Sequence, residues 1–159
     1  MTRRIEIALE AQRLRLCELG DELLSFPVST ALNGPGEVAG SGCTPRGRHA
    51  IRLKIGDGMA INTVFVRRRP TGEIYSRELA ERYPQRDWIL SRILWLTGLE
   101  SGFNRGGGRD SLRRFIYIHG TPAHEPMGRP ASHGCIRMRN QDVITLFDQV
   151  AAGVLVEIN

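Results

Sequence analysis

The sequence predicts a mainly β fold with a few short helices (α+β), and three observations carry that expectation. Apolar residues recur at every second position in short runs, as at Ile5, Ile7 and Leu9, or Val154, Val156 and Ile158; strand side chains alternate faces with this period. Turn formers such as Gly20-Asp21 and Asn33-Gly34-Pro35-Gly36 separate the runs. Helical signals are confined to the middle of the chain and to a stretch near the C-terminus.

The elements follow in order. After Ile5–Leu9, Leu14 and Leu16 continue the alternation, and Gly20-Asp21 turns the chain into a strand from Leu23 to Val28. Residues 33–36 and 39–42 read as loops, without the spacing of a phosphate loop. Ile51, Leu53 and Ile55 mark another strand, and Asn62 to Arg67 the next. Ser76 is placed to cap a short helix through Arg82, which Pro84 stops. Asp87 is placed to cap a second helix from Trp88 to Thr97, ended by Gly98; its apolar residues nearly encircle it, so deep burial is expected. Leu99 to Asp110 is Gly-rich and reads as a mobile surface loop. Phe115 to His119 is a strand closed by Gly120-Thr121-Pro122, and Ser132 to Arg139 is another. Asn140 is expected to cap a helix bearing Val143, Ile144, Phe147 and Val150 on one stripe, and Gly153 precedes the last strand.

Composition sets the broad class. A chain of 159 residues with 41% hydrophobic and 25% charged residues reads as one globular domain over 1–159. The formal charge of +5 suits anionic ligands. Its basic residues are scattered apart from Arg67-Arg68-Arg69 and Arg113-Arg114, and no aromatic residues interleave with them as a stacking platform requires, so nucleic acid is not the expected partner. No apolar run is long enough for a membrane span. The start, Met1-Thr2-Arg3-Arg4-Ile5-Glu6, is basic without an apolar stretch behind it. The expectation is therefore a cytoplasmic protein, or a periplasmic one if a signal has been removed. Three cysteines, at 17, 43 and 135, do not form a disulfide framework.

The chemistry concentrates in Ser132-His133-Gly134-Cys135-Ile136-Arg137-Met138-Arg139. Read as a strand, this stretch turns Ile136 and Met138 to the core and His133, Cys135, Arg137 and Arg139 to an open face. A cationic surround favours the thiolate, the reactive form of cysteine. Gly134 allows a substrate to approach closely, and backbone N–H groups at Gly134 and Cys135 are candidates for an oxyanion site. The strand from Phe115 carries Tyr117 and His119 on one face. Two such strands ending together bring His119 to Cys135 as a base, with the carbonyl of Gly120 available to fix the imidazole. Arg137 is placed to bind a substrate carboxylate. A zinc site of His119, His133, Cys135 and His124 is the competing reading, and it sets Arg137 beside a divalent cation. A module that binds anionic peptides without turnover is another. Cys17 and Cys43 read as structural, with Cys43 close enough to line the site, and His49 and His124 as loop residues.

His119-Gly120-Thr121, a loop, then Ser132-His133-Gly134-Cys135-Ile136-Arg137 resembles the catalytic signature of the L,D-transpeptidase (YkuD-type) family, and Thr44-Pro45-Arg46-Gly47 resembles that family's Thr-Pro-x-Gly segment. The resemblance runs from about Ile5 to Ile158. It implies a YkuD-like β-sandwich with the nucleophile at the end of a strand, Cys135 as nucleophile and His119 as base. Ser132, His133, Gly134 and Tyr117 would line the pocket. It implies no cofactor and no metal. The implied substrate is the peptidoglycan tetrapeptide stem or a muropeptide, cut between the L-centre of its diamino acid and D-Ala, with carbapenem-type β-lactams as inhibitors. Without an export signal, hydrolysis as an L,D-carboxypeptidase of muropeptide recycling is expected over 3-3 cross-linking in the periplasm. His49 stands where the family usually has an aromatic residue.

Overall fold

The computed structural model describes residues 2–159; Met1, with which the basic start begins, lies outside them. The strands are β1 (Arg3–Ala8), β2 (Arg13–Glu18), β3 (Asp21–Pro27), β4 (Gly47–Ile55), β5 (Thr63–Val66), β6 (Arg69–Ile74), β7 (Ile89–Gly98), β8 (Tyr117–Thr121), β9 (Ile136–Arg139) and β10 (Leu155–Ile158). The helices are α1 (Arg77–Arg82) and α2 (Asn140–Gln149). The expected mainly β architecture with short helices is what the chain adopts.

All ten strands join one curled sheet in the order β3-β2-β1-β10-β4-β7-β5-β6, with β8 on β7 and β9 on β8. Most pairs are antiparallel; β1–β10 and β8–β9 are parallel. Alternation places Ile5, Ile7, Leu14, Leu16, Val156 and Ile158 in the main core, where Ile118, Ile136 and Met138 join them. Helix α2 covers this core with Val143, Leu146 and Phe147.

The stretch Trp88–Thr97 is not a helix. From Ile89 on it belongs to β7, the longest strand, which pairs with β4, β5 and β8. Because it is buried on both faces, both sets of alternate positions are apolar, and the period-two signal disappears. Asp87 therefore caps nothing and sits in the loop before β7. A bulge at Ser91, whose φ is +71°, breaks the ladder between Leu90 and Ile93. The Ser91 hydroxyl donates to Asn140 Oδ1 at 2.8 Å, while Asn140 Nδ2 donates to the Thr121 carbonyl at 2.9 Å. Asn140 is thus the first residue of α2 rather than its cap, and its side chain ties three elements together.

Other boundaries moved for local reasons. Ser76 does cap α1, accepting from the Leu79 N–H at 3.1 Å. Arg67 and Arg68, at φ +50° and +65°, make the tight turn between β5 and β6, a hairpin that no Gly or Asn announces. The Gly-rich segment 99–110 lies mostly on the surface, as expected, but is anchored: Asn104 is fully buried and donates to the carbonyls of Arg46 and Arg48, both at 3.0 Å. His49 lies in β4, not in a loop. It is fully buried against Ser111 Oγ at 2.8 Å, and burial pushes its pKa down to about 4. Cys17 is buried in β2, as expected of a structural thiol.

Candidate active site

The site forms where β8 and β9 run side by side. Their parallel register sets Ile118 against Ile136 and His119 against Arg137. Ile118 and Ile136 enter the core, so Tyr117, His119 and Arg137 face the other way. Neither strand is as long at its start as the sequence implied. Phe115 is exposed at φ +57°, and β8 begins at Tyr117. Ser132 bridges to Ala31, His133 to Cys135 is a bend, and β9 begins at Ile136, so the nucleophile candidate sits just before a strand. Gly134 takes φ +135° within the bend, a conformation that side chains disfavour, with the Cys43 carbonyl 3.3 Å from where a Cβ would stand. Ser132 Oγ braces the turn, donating to the Cys135 carbonyl at 2.6 Å and accepting from the Gly134 N–H at 3.2 Å. Thr44 Oγ1 donates to the Gly134 carbonyl at 2.9 Å, which links the Thr-Pro segment to the site.

Cys135 is half-buried and free. Its Sγ accepts from the Tyr117 N–H at 3.3 Å and donates to the Phe115 carbonyl at 3.3 Å. Burial pushes the thiol up to about 11, against the pull of the Tyr117 N–H and of the Arg137 and Arg114 charges. His119 is almost fully buried, and burial holds it below the ordinary imidazole value. The two shifts act together. A thiol raised and an imidazole lowered rest as a neutral pair, not as the ion pair a cationic surround would produce. His119 Nδ1 lies 2.6 Å from the Gly120 carbonyl. A carbonyl only accepts, so Nδ1 carries the hydrogen and Nε2 is left as the basic nitrogen. The expected role of Gly120 in fixing the ring is thus present in the geometry. Gly120 also permits close packing: a Cβ there would fall 2.5 Å from the Leu90 carbonyl oxygen and collide with Asn140 Oδ1.

Arg137 departs from the open face read for it. It is buried, and its guanidinium is held by Asp87 at 3.3 Å, Glu125 at 3.5 Å and the Ala131 carbonyl at 3.3 Å. Arg139 and His133 are exposed; His133 Nδ1 lies 4.0 Å from Asp87 Oδ2. His124, the candidate fourth zinc ligand, pairs with Glu125 at 3.6 Å. Among the described residues, no three His, Cys, Asp or Glu side chains converge as a metal site would require, and no helix is long and apolar enough to cross a membrane.

Two cavities meet at His133. One, of about 440 Å³, opens on Cys135 and is walled by Arg113, Arg114, Ile116, Gly134 and Gly42. The other, of about 260 Å³, holds Asp87, Glu125, Arg86 and Arg137. Asp87, Glu125 and Arg114 were not singled out from the sequence as site residues; Asp87 stood out only as a helix cap. The carboxylates carry no motif, and Arg114 stood out only as half of a basic pair. Larger hollows elsewhere, such as one of about 750 Å³ beside Arg3 and Gln149, contain no nucleophile.

Comparison with known proteins agrees with this geometry. The L,D-transpeptidase catalytic domain family (YkuD) matches residues 2–158. The chain is 46% identical over 46 residues to the probable L,D-transpeptidase YbiS of Escherichia coli, covering 29% of this chain and 15% of that protein. It is 49% identical over 47 residues to the probable L,D-transpeptidase ErfK/SrfK of Salmonella typhimurium, covering 30% of this chain and 15% of that protein. This sequence thus corresponds to only a small part of those relatives' length. Among solved structures, an L,D-transpeptidase from Mycobacterium smegmatis superposes with a TM-score of 0.60 at 17% identity, covering 99% of this chain and 58% of that one. L,D-transpeptidase 3 from Mycobacterium tuberculosis, in complex with a faropenem-derived adduct, does so at 0.60 and 15%, covering 99% and 60%. These structural likenesses concern the fold. With the family match running over nearly the whole chain, and with His119 on β8 and Cys135 just before the adjoining β9, the protein belongs to the L,D-transpeptidase catalytic domain family.

Proposed function

We propose that Cys135 and His119 carry out acyl transfer on the tetrapeptide stem of peptidoglycan or on a muropeptide. The observation that supports this reading most is the orientation of His119 on β8: with Nδ1 tied to Gly120, Nε2 is the nitrogen left as a base, on the strand adjoining the one that Cys135 leads into. Because the pair rests neutral, proton transfer from Cys135 to His119 accompanies the attack on the scissile carbonyl rather than preceding it. The oxyanion develops beside the Cys135 and Gly134 N–H groups; the latter now points to Ser132 Oγ and would turn to the substrate. His119 returns the proton to the departing D-Ala amine, leaving a thioester on Cys135.

Water or an amine then resolves the thioester. Hydrolysis gives tripeptide and D-Ala and is the outcome expected where no amine is held beside the thioester; a bound acceptor stem gains effective concentration and gives a cross-link. Incubation with a defined tetrapeptide, with and without acceptor stems, followed by mass measurement separates the outcomes. Tripeptide as the main product makes the protein an L,D-carboxypeptidase, and dimers make it a transpeptidase. Cys135→Ala is expected to abolish both while the protein stays folded; residual turnover above a few per cent would exclude the thioester route. Structural relatives bind imipenem and a faropenem-derived adduct. A carbapenem is expected to acylate this chain at Cys135, and an adduct on Cys43 or Cys17 would overturn the assignment.

A further inference from the structure

We infer that Arg114, not Arg137, is the residue that binds a substrate carboxylate beside Cys135. Arg137 has the right charge, but its guanidinium already serves two carboxylates of the protein. Arg114 is in the opposite condition. It is half-buried in the wall of the cavity that opens on Cys135. Its donors meet only neutral oxygens: the Cys43 carbonyl at 2.7 Å, the Gly36 carbonyl at 3.3 Å and Ser41 Oγ at 3.5 Å. Among the described residues, no carboxylate oxygen lies within 4.0 Å of it. The nearby acid, Glu37, is held by Arg46 through bonds of 2.8 and 2.9 Å. No acidic side chain lines the cavity at all, and exposed Arg113 adds a second positive charge to its rim.

A guanidinium drawn out of water without a counter-charge is costly unless a ligand supplies one. Its planar fork matches a carboxylate, and a cavity with one sign of charge concentrates anions. The carbonyl bonds fix the guanidinium in the wall, so little freedom is lost when an anion arrives. Arg114 also stands close enough to Cys135 for the charges to act on each other. On the stem-peptide reading, from which the substrate's identity is taken, two carboxylates qualify. The terminal carboxylate of the departing residue lies a few bonds from the attacked carbonyl. The side carboxylate of the diamino acid, where present, lies farther away.

The first test does not depend on that reading. Cys135 in the full chain is alkylated with iodoacetate and with iodoacetamide, reagents of similar size of which only the first is anionic. The ratio of the two rates cancels any change in thiolate population. Wild-type protein is expected to show a ratio above that of a free small thiol. Arg114→Gln should lower it roughly ten- to a hundred-fold, Arg114→Lys should keep most of it, and Arg113→Gln should change it little. A ratio equal in wild type and Arg114→Gln overturns the inference, as does a larger loss in Arg113→Gln. The second test uses tetrapeptides. Amidation of the terminal carboxylate, or a diamino acid lacking the side carboxylate, should raise KM in wild type and not in Arg114→Gln; the sensitive position identifies the carboxylate. If neither change raises KM, the inference fails. If no peptide is turned over while the alkylation ratio behaves as expected, the stem-peptide reading fails and Arg114 keeps its role.

Discussion

The two cavities flanking His133 contain the same kind of group in opposite states. On the β9 side, Arg137 is buried beneath the more exposed Asp87 and Glu125 and has its charge matched by the protein itself. On the Cys135 side, Arg114 touches only neutral oxygens and has no carboxylate beside it. The difference teaches that a cation near a nucleophile does not by itself mark a ligand site. What matters is whether its charge is already matched. Arg137 is a positioning group that holds the Asp87 loop and the 125–131 segment against β9. Arg114 remains open to a ligand.

Both cavities adjoin His133, two residues before the proposed nucleophile Cys135. His119→Ala is expected to cost roughly two to four orders of magnitude in rate at Cys135; a loss below tenfold would remove the base from the mechanism. The two arginine sites should then separate by type of measurement. Arg114→Gln should act on anion selectivity and KM by roughly ten- to a hundred-fold, with little change in denaturant midpoint. Asp87→Asn should act on stability instead, by about 1–2 kcal/mol in chemical unfolding, because it leaves buried Arg137 with one carboxylate fewer. That figure is at the low end for ion pairs because the Asp87 side chain is half in solvent. If Asp87→Asn changed anion selectivity and Arg114→Gln changed only stability, the two assignments would be exchanged.

The pH dependence sharpens the same picture. The thiol is raised above its ordinary value to about 11, so at neutral pH it carries its proton and a neutral alkylating agent reacts slowly. The rate should climb with pH toward that value. A plateau already reached near pH 7 would mean a resting thiolate–imidazolium pair. The smallest effect is expected at the boundary between the cavities. His133 is exposed, and 4.0 Å from Asp87 it makes only a loose contact. His133→Ala should change KM a few-fold and kcat less, and a loss as large as that of His119→Ala would reverse their roles.

Much of this was legible in the linear chain. Period-two alternation marked β1, β2, β4, β8, β9 and β10, because each has one buried face and one that is not part of the main core. The candidates Cys135 and His119 and the anchoring carbonyl of Gly120 followed from residue types and strand ends; the structure puts His119 and Gly120 on β8 and Cys135 just before the adjoining β9. The bend at His133–Cys135 was hidden because a side-chain hydroxyl and a glycine at positive φ set it, and neither alters the apolar pattern. The turn at Arg67-Arg68 was hidden because two arginines occupy a conformation that glycine or asparagine usually marks.

By itself the sequence determined the mainly β class and the family, and it singled out Cys135 and His119 as the candidate nucleophile and base, since each is written in local spacing and residue type. Only the tertiary structure decided that Ile89–Gly98 is a strand, because burial on both faces is a property of its neighbours and not of its own period. Only the tertiary structure decided the charge states. Desolvation raises Cys135 and lowers His119 despite the cations beside them, and it depends on how much protein surrounds each group. The same holds for the arginines. Arg137 and Arg114 are equivalent as letters, and what distinguishes them is that Asp87 and Glu125, from loops far apart in the chain, close on one and leave the other without a counter-charge.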